Sequence, residues 1–289
     1  VIFTGSVATG RRVGAACGAR LIPFVAELGG KDPAIVLPDA KVANVARQIV
    51  WGGFANCGQI CASVERVLVH ESIAAPFVDE VVRLTRTLRQ GDPVAAGAAH
   101  VDLGAMVVPR QVEIVRRHVE DAVARGARVL TGGRAFGEGG ARFFEPTVLV
   151  DVTPDMLVWR EETFGPVLPI RTFRDEEQAI REANDSPYGL SAYVFGRDRR
   201  RAERVAERLE AGTVVVNDLL YTHALPETPW GGMKHSGLGR VHGLQGLKDL
   251  CEIQHVNTPR VDVLPLWLYP YREKTFSLFR AALRALHGR

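Results

Sequence analysis

The 289-residue sequence is 46% apolar and 24% charged, with a formal net charge of +3. That is globular composition, sufficient for one large domain or two ordinary ones, and so small a charge gives no reason to expect nucleic acid as a partner. Four cysteines without a paired framework fit a reducing compartment; with no apolar run of membrane-spanning length and no signal-peptide layout, the expected location is cytoplasmic.

The chain opens mid-strand on VIFTGS, which reads as the remainder of a longer one. Short apolar, β-rich runs then alternate with helical stretches, the pattern of a mainly parallel sheet with crossover helices. Residues 1–3 and 20–26 read as strands around a helix at about 7–18. A buried strand at 33–37 stops at Pro38, followed by a helix over 42–56, a strand over 66–70 and a helix over 73–89. A helix at 109–126 and a strand at 128–131 precede the glycine-rich loop GGRAFGEGG. Strands are expected at 144–150, 166–173, 191–195 and 213–217, with helices at 176–184 and 199–212 between them. Residues 218–239 form a non-regular stretch too long for an ordinary loop, which suggests function. A helix at about 243–250, a strand at 252–257 and a tail close the chain.

Three segments could carry chemistry: VAELGGKDP (25–33), FANCGQICASVERV (54–67) and EETFGP (161–166). Taken singly, each has an ordinary reading. Cys61 could be a small buried hydrophobe, Glu27 a strand-end surface acid, and Glu161-Glu162 a solvated loop. Cys57 and Cys61 lie four apart, but no Cys/His cluster accompanies them, so no metal site is expected.

The order of motifs changes that balance. FTGS (3–6), ELGGK (27–31), NxGQxC with a following Arg (56–61, 66), EExFGPV (161–167), NxxxYGLSA (184–192), AGTVxVN (211–217) and PxGGxKxSGxGR (229–240) occur in sequence. Together they resemble the aldehyde dehydrogenase superfamily over roughly residues 1–260. The resemblance implies an α/β fold: the C-terminal remnant of a Rossmann-type cofactor domain (1–27), a catalytic domain with a mainly parallel sheet (28–238), a return helix and oligomerisation strand (239–262), and a tail (263–289). It implies NAD or NADP as cofactor, a small-molecule aldehyde as substrate, and a homodimer or homotetramer.

Within the resemblance, Cys61 matches the nucleophile and Glu27 the base that activates water. Hydride does not readily leave a planar carbonyl, whereas thiolate attack gives a tetrahedral thiohemiacetal from which it can, and water must then cleave the thioester. Gly5 and Ser6 match a pyrophosphate-binding strand-to-helix turn, Leu28 and Gly29 backbone contacts to the carboxamide, Glu162 the acid that holds the ribose, and Phe164 a neighbour of the nicotinamide ring. Lys31, Asn217, Lys234 and Arg240 match family positions read as structural. Glu27 favours hydrolysis over the family's coenzyme A-acylating branch, and its presence with Cys61 argues against a non-catalytic scaffold. The matching N-terminal segment, with its oxyanion-hole Asn, lies outside the sequence.

Ala55, six before the nucleophile, stands where relatives that act on succinate semialdehyde carry Arg. With Phe54, Ile60, Ala62 and Trp230 it suggests an apolar tunnel for a medium or long aliphatic or aromatic aldehyde. In the tail, LPLWLYPYREK (264–274) leads into a helix with Phe276, Phe279, Leu283 and Leu286 spaced against Arg280, Arg284 and Arg289. This basic amphipathic pattern suits peripheral membrane contact through 263–289, although packing on its own domain or a neighbouring subunit is the preferred reading on pattern alone.

Overall fold

In the computed structural model, which describes residues 1–137, 142–260 and 269–288, most of the apolar runs become strands at the expected places. β1 (Ile2–Thr4) and β2 (Val25–Glu27) flank a helix at Val7–Ala19. β3 (Asp32–Val36), a helix at Val42–Phe54 and β4 (Val64–His70) form the first parallel step of a larger sheet. Helices at Glu71–Thr85 and Pro109–Ala124 lead to β5 (Arg128–Thr131), the antiparallel pair β6 (Ala135–Phe136) and β7 (Phe143–Phe144), β8 (Thr147–Val150) and β9 (Val167–Phe173). A helix at Glu176–Asn184, β10 (Ser191–Phe195), a helix at Arg199–Ala206, β11 (Thr213–Val216) and β12 (Gly237–Leu238) follow.

Seven strands form the main sheet in the order β11-β10-β3-β4-β9-β8-β5, all neighbours parallel except β8 and β5. β3 and β10 are buried at every residue, as expected of central strands with apolar side chains on both faces. Because β10, β3, β4 and β9 run the same way, their first residues line one edge of the sheet. The segments that enter them carry the chemistry-bearing residues to that edge.

A second sheet has β2 in its centre, parallel to β1 and antiparallel to β12, with Gly237 opposite Glu27. The pairing ties a late segment to the strand that ends at Glu27, and the boundaries expected at 27/28 and 238/239 lie inside one compact unit, Val1–Cys251. The second unit is Glu252–Arg289, a break earlier than the expected 262/263.

Several expectations need correction. The strand expected at 144–150 divides at Pro146, which has no N–H to give to a ladder. The strand expected at 20–26 shrinks to Val25–Glu27, since Leu21 turns the chain with φ 56°. Residues 252–257 form no ladder: among the described residues of their unit there is no strand to pair with, and Ile253 and Val256 are exposed. Part of the glycine-rich loop and the first half of the 264–274 aromatic run lie outside the described residues. No helix among those described is long and apolar enough to cross a membrane.

Candidate active site

Cys61 enters the edge of the sheet through an unusual turn. The helix Val42–Phe54 ends into Asn56, Cys57 and Gly58, three successive residues with φ of 51°, 58° and 69°. Two side-chain-bearing residues in the left-handed region carry strain that the surroundings must hold. They do so through hydrogen bonds: Asn56 Nδ2 donates to Gln59 O (3.0 Å), Gln59 Nε2 to Asn56 O (3.0 Å), and Val107 N–H to Gln59 Oε1 (3.0 Å). Gly58 is required twice, by its φ and because a Cβ there would collide with the Gly165 carbonyl.

The EETFGP segment is pinned from the other side. Thr163 N–H and Phe164 N–H both donate to the Glu65 carboxylate at 2.8 Å. Glu65 pairs with Lys31 Nζ at 2.6 Å, and Lys31 also donates to Thr163 Oγ1 at 2.9 Å. Arg66, fully buried, donates to the carbonyls of Lys31, Glu182 and Ala183. Glu65 was not singled out in the sequence; its signal is an acid beside Arg66 in an otherwise apolar strand.

Glu162 folds back onto the ELGGK segment, where Gly30 N–H donates to its Oε1 at 3.1 Å and a Cβ on Gly29 would strike its carboxylate. Burial, reinforced by the Glu65 charge, pushes Glu162 up to about 7, against the pull of Gly30 and Lys31. Leu28 N–H donates to Ser236 O at 2.9 Å. Phe164, half-buried, takes φ 46°.

Glu27 closes β2 with Oε1 buried and without a hydrogen-bond partner, beside Gly231. Burial raises it to about 7, with the Trp230 indole and the Arg240 guanidinium opposing. Cys61 is half-buried, and burial pushes its thiol up to about 11; Asp32, Glu27 and Glu162 add negative charge while a backbone hydrogen bond from Ala62 acts the other way. The site thus pairs a protonated thiol with a carboxyl poised near neutrality.

The residues expected to line one tunnel fall into two places. Ala62, Leu190 and Trp230 make a small apolar cluster against Cys61 and Val241. Phe54 belongs to the main core instead, and with Ala55, Trp51 and Leu103 it lines a separate cavity of about 480 Å³. Lys234 Nζ donates to the Asn184 and Ser186 carbonyls, ending the helix Glu176–Asn184, and Asn217 clamps both backbone groups of Gly196. Arg240 donates to the Gly232 and Gly239 carbonyls. Asp32 is a further residue the sequence did not flag: buried, its Oδ2 accepts from Ser191 N–H at 3.0 Å while Oδ1 has no partner. Among the described residues no three His, Cys, Asp or Glu side chains gather as a metal site.

Gly5 and Ser6 stand exposed at the start of the helix Val7–Ala19, whose Thr9 N–H Ser6 Oγ caps at 3.3 Å. A model of the aldehyde dehydrogenase family matches residues 1–256. The chain belongs to that family. It is 41% identical over 261 residues to the chloroplastic betaine aldehyde dehydrogenase of Beta vulgaris, covering 89% of this chain and 51% of that protein. It is 43% identical over 263 residues to a protein of Mycolicibacterium smegmatis provisionally named succinate-semialdehyde dehydrogenase (NADP+), covering 90% and 50%. A solved structure of an NAD-dependent aldehyde dehydrogenase from Sinorhizobium meliloti superposes with a TM-score of 0.87 at 35% identity, over 93% of this chain and 52% of that one. The chain therefore spans about half the length of the curated relatives it matches.

Proposed function

We propose that the complete protein oxidises an aldehyde to the carboxylic acid with NAD+ or NADP+. The observation that carries this reading is the convergence of Cys61 with a buried Glu27 carboxyl, whose Oε1 has no hydrogen-bond partner, beside an apolar cluster. The residues present fit a nicotinamide dinucleotide. The capped helix start at Gly5-Ser6 suits the pyrophosphate, the half-buried Glu162 carboxyl suits ribose hydroxyls, and the Leu28-Gly29 backbone with Phe164 lies in the same region. When bound, that cofactor supplies the hydride acceptor.

Cys61 Sγ bonds to the aldehyde carbon, and the thiol proton leaves to a base. Loss of hydride from the resulting thiohemiacetal gives a thioester on Cys61. Glu27 takes a proton from water, the hydroxide adds to the thioester carbon, and Cys61 departs and is reprotonated, releasing the acid. The Cys61 backbone N–H is one donor for the oxyanion.

The apolar surroundings formed by Ala62, Leu190 and Trp230, and Ala55 in place of a basic residue, support an uncharged aliphatic or aromatic aldehyde as substrate. Exposed Ile253 and Val256, two faces of a segment without a ladder, support a homodimer or homotetramer paired there. Four free cysteines support a cytoplasmic location.

The test is a transient-kinetic assay of the complete protein with hexanal and each cofactor. Cys61→Ser should form no reduced cofactor, and Glu27→Gln should give one burst of it followed by arrested turnover. Steady turnover by Cys61→Ser overturns the reading; faster oxidation of succinate semialdehyde than hexanal overturns the substrate class alone.

A further inference from the structure

The charge of this chain is not spread evenly. Residues 252–289 hold six basic and three acidic residues, which is the entire formal +3, so residues 1–251 are neutral as a body. Within the second unit, Glu273–His287 is a 15-residue helix. Its Phe276, Phe279, Leu283 and Leu286 repeat at intervals of three and four, the spacing of a single stripe, and stand 57, 40, 57 and 76% exposed. Arg280 and Arg284 lie one turn apart along one flank of that stripe, and among the described residues neither forms an ion pair.

The approach to this helix is aromatic. The rings of Tyr269 and Tyr271 are 4.6 Å apart, and Tyr271 meets Phe276 edge-on at 6.1 Å, so the tyrosines extend the apolar stripe at its N-terminal end. Amphipathic aromatic rings beside an apolar stripe, under a row of unpaired cations, match the layered chemistry of a phospholipid surface: hydrocarbon below, headgroups above. At 15 residues the helix is too short to span hydrocarbon, so it lies in the interface.

We propose that Tyr269–Gly288 is a lipid-surface segment that seats the protein on membranes rich in anionic phospholipid. A protein partner would need only the apolar stripe; an anionic surface also accounts for the concentration of the whole net charge in this unit. The inference does not depend on the catalytic reading.

Sedimentation with vesicles of phosphatidylglycerol and phosphatidylcholine, against phosphatidylcholine alone, tests it on the full chain. Wild-type protein should pellet with the mixed vesicles and stay largely in solution with the neutral ones. Arg280→Gln with Arg284→Gln should weaken partitioning about twenty-fivefold, each cation near an anionic surface contributing about fivefold. Phe279→Ser with Leu283→Ser should abolish it, with the far-ultraviolet circular dichroism of the body unchanged because both positions are exposed. Wild-type protein that stays in solution with the mixed vesicles, or equal pelleting of all three proteins, overturns the proposal. So does loss of oligomer mass in Phe279→Ser/Leu283→Ser without vesicle binding by the wild type, which would assign the stripe to a second copy of the chain.

Discussion

Lys31 Nζ lies 2.6 Å from the Glu65 carboxylate, with the lysine side chain fully sealed from solvent and the glutamate nearly so. Burying two charges costs more than their attraction returns unless further hydrogen bonds are satisfied. Here they are: Glu65 accepts the N–H groups of Thr163 and Phe164, and Lys31 also donates to Thr163. The pair's work is to hold the segment that presents Glu162.

Lys31→Met should therefore destabilise the chain by about 3–5 kcal/mol, because Glu65 is left as an uncompensated buried charge. Replacing both residues by apolar ones should recover only part of this, since two backbone N–H groups would lose their acceptor. Denaturant unfolding of the single and double variants checks it; full recovery in the double variant contradicts the positioning role.

Gly58→Ala should cost about 1–3 kcal/mol from the left-handed backbone alone, and more from the collision with the Gly165 carbonyl. Thermal unfolding reads the loss. An unchanged midpoint would mean the turn before Cys61 relaxes freely.

Without cofactor, Cys61 should alkylate slowly near neutral pH, its rate rising about tenfold per pH unit toward a thiol displaced to about 11. Exposed Cys251 should label first. Peptide mass mapping after timed iodoacetamide exposure distinguishes this from a plateau below pH of about 8, which would show a thiolate already formed.

Turnover limited by thioester hydrolysis should rise with pH through about 7, since Glu27 serves as base only when ionised and burial has displaced it to that range. The rise should vanish in Glu27→Gln. A wild-type profile already flat from pH of about 5 upward contradicts the assignment.

Asp32, raised well above the usual carboxylate range by burial, binds its proton more tightly folded than unfolded. Stability from this group is present at low pH and falls as pH climbs above its ordinary range. Asp32→Asn should flatten that part of the pH–stability curve; a curve unchanged by the substitution would mean the carboxyl is ionised in the fold.

Much of this was legible in the sequence, for identifiable reasons. Period and punctuation located the central strands, with Ser191–Phe195 and the helix Glu176–Asn184 matching their expected ends. Motif order singled out Cys61 and Glu27 as candidates. What escaped were features made by chain crossing: the Glu65 anchor, the orphan oxygen of Asp32, and the separation of Phe54 from the Trp230 cluster. Each depends on which face of a strand or helix meets a segment about a hundred or more residues away, and no local pattern encodes that. The strand expected at 252–257 shows the converse limit, because alternation marks readiness to pair and not the presence of a partner.

The antiparallel pairing of β12 with β2 also sets a schedule. Gly237 lies opposite Glu27, about 210 residues later in the chain. A growing polypeptide emerges N-terminus first, so Cys61 and the strand bearing Glu27 leave the ribosome long before the residues that seat them. Until Trp230 and β12 arrive, Glu27 has no low-dielectric setting and keeps the acidity of an ordinary surface carboxylate. Glu27 thus gains its buried setting only once nearly the whole first unit has been made.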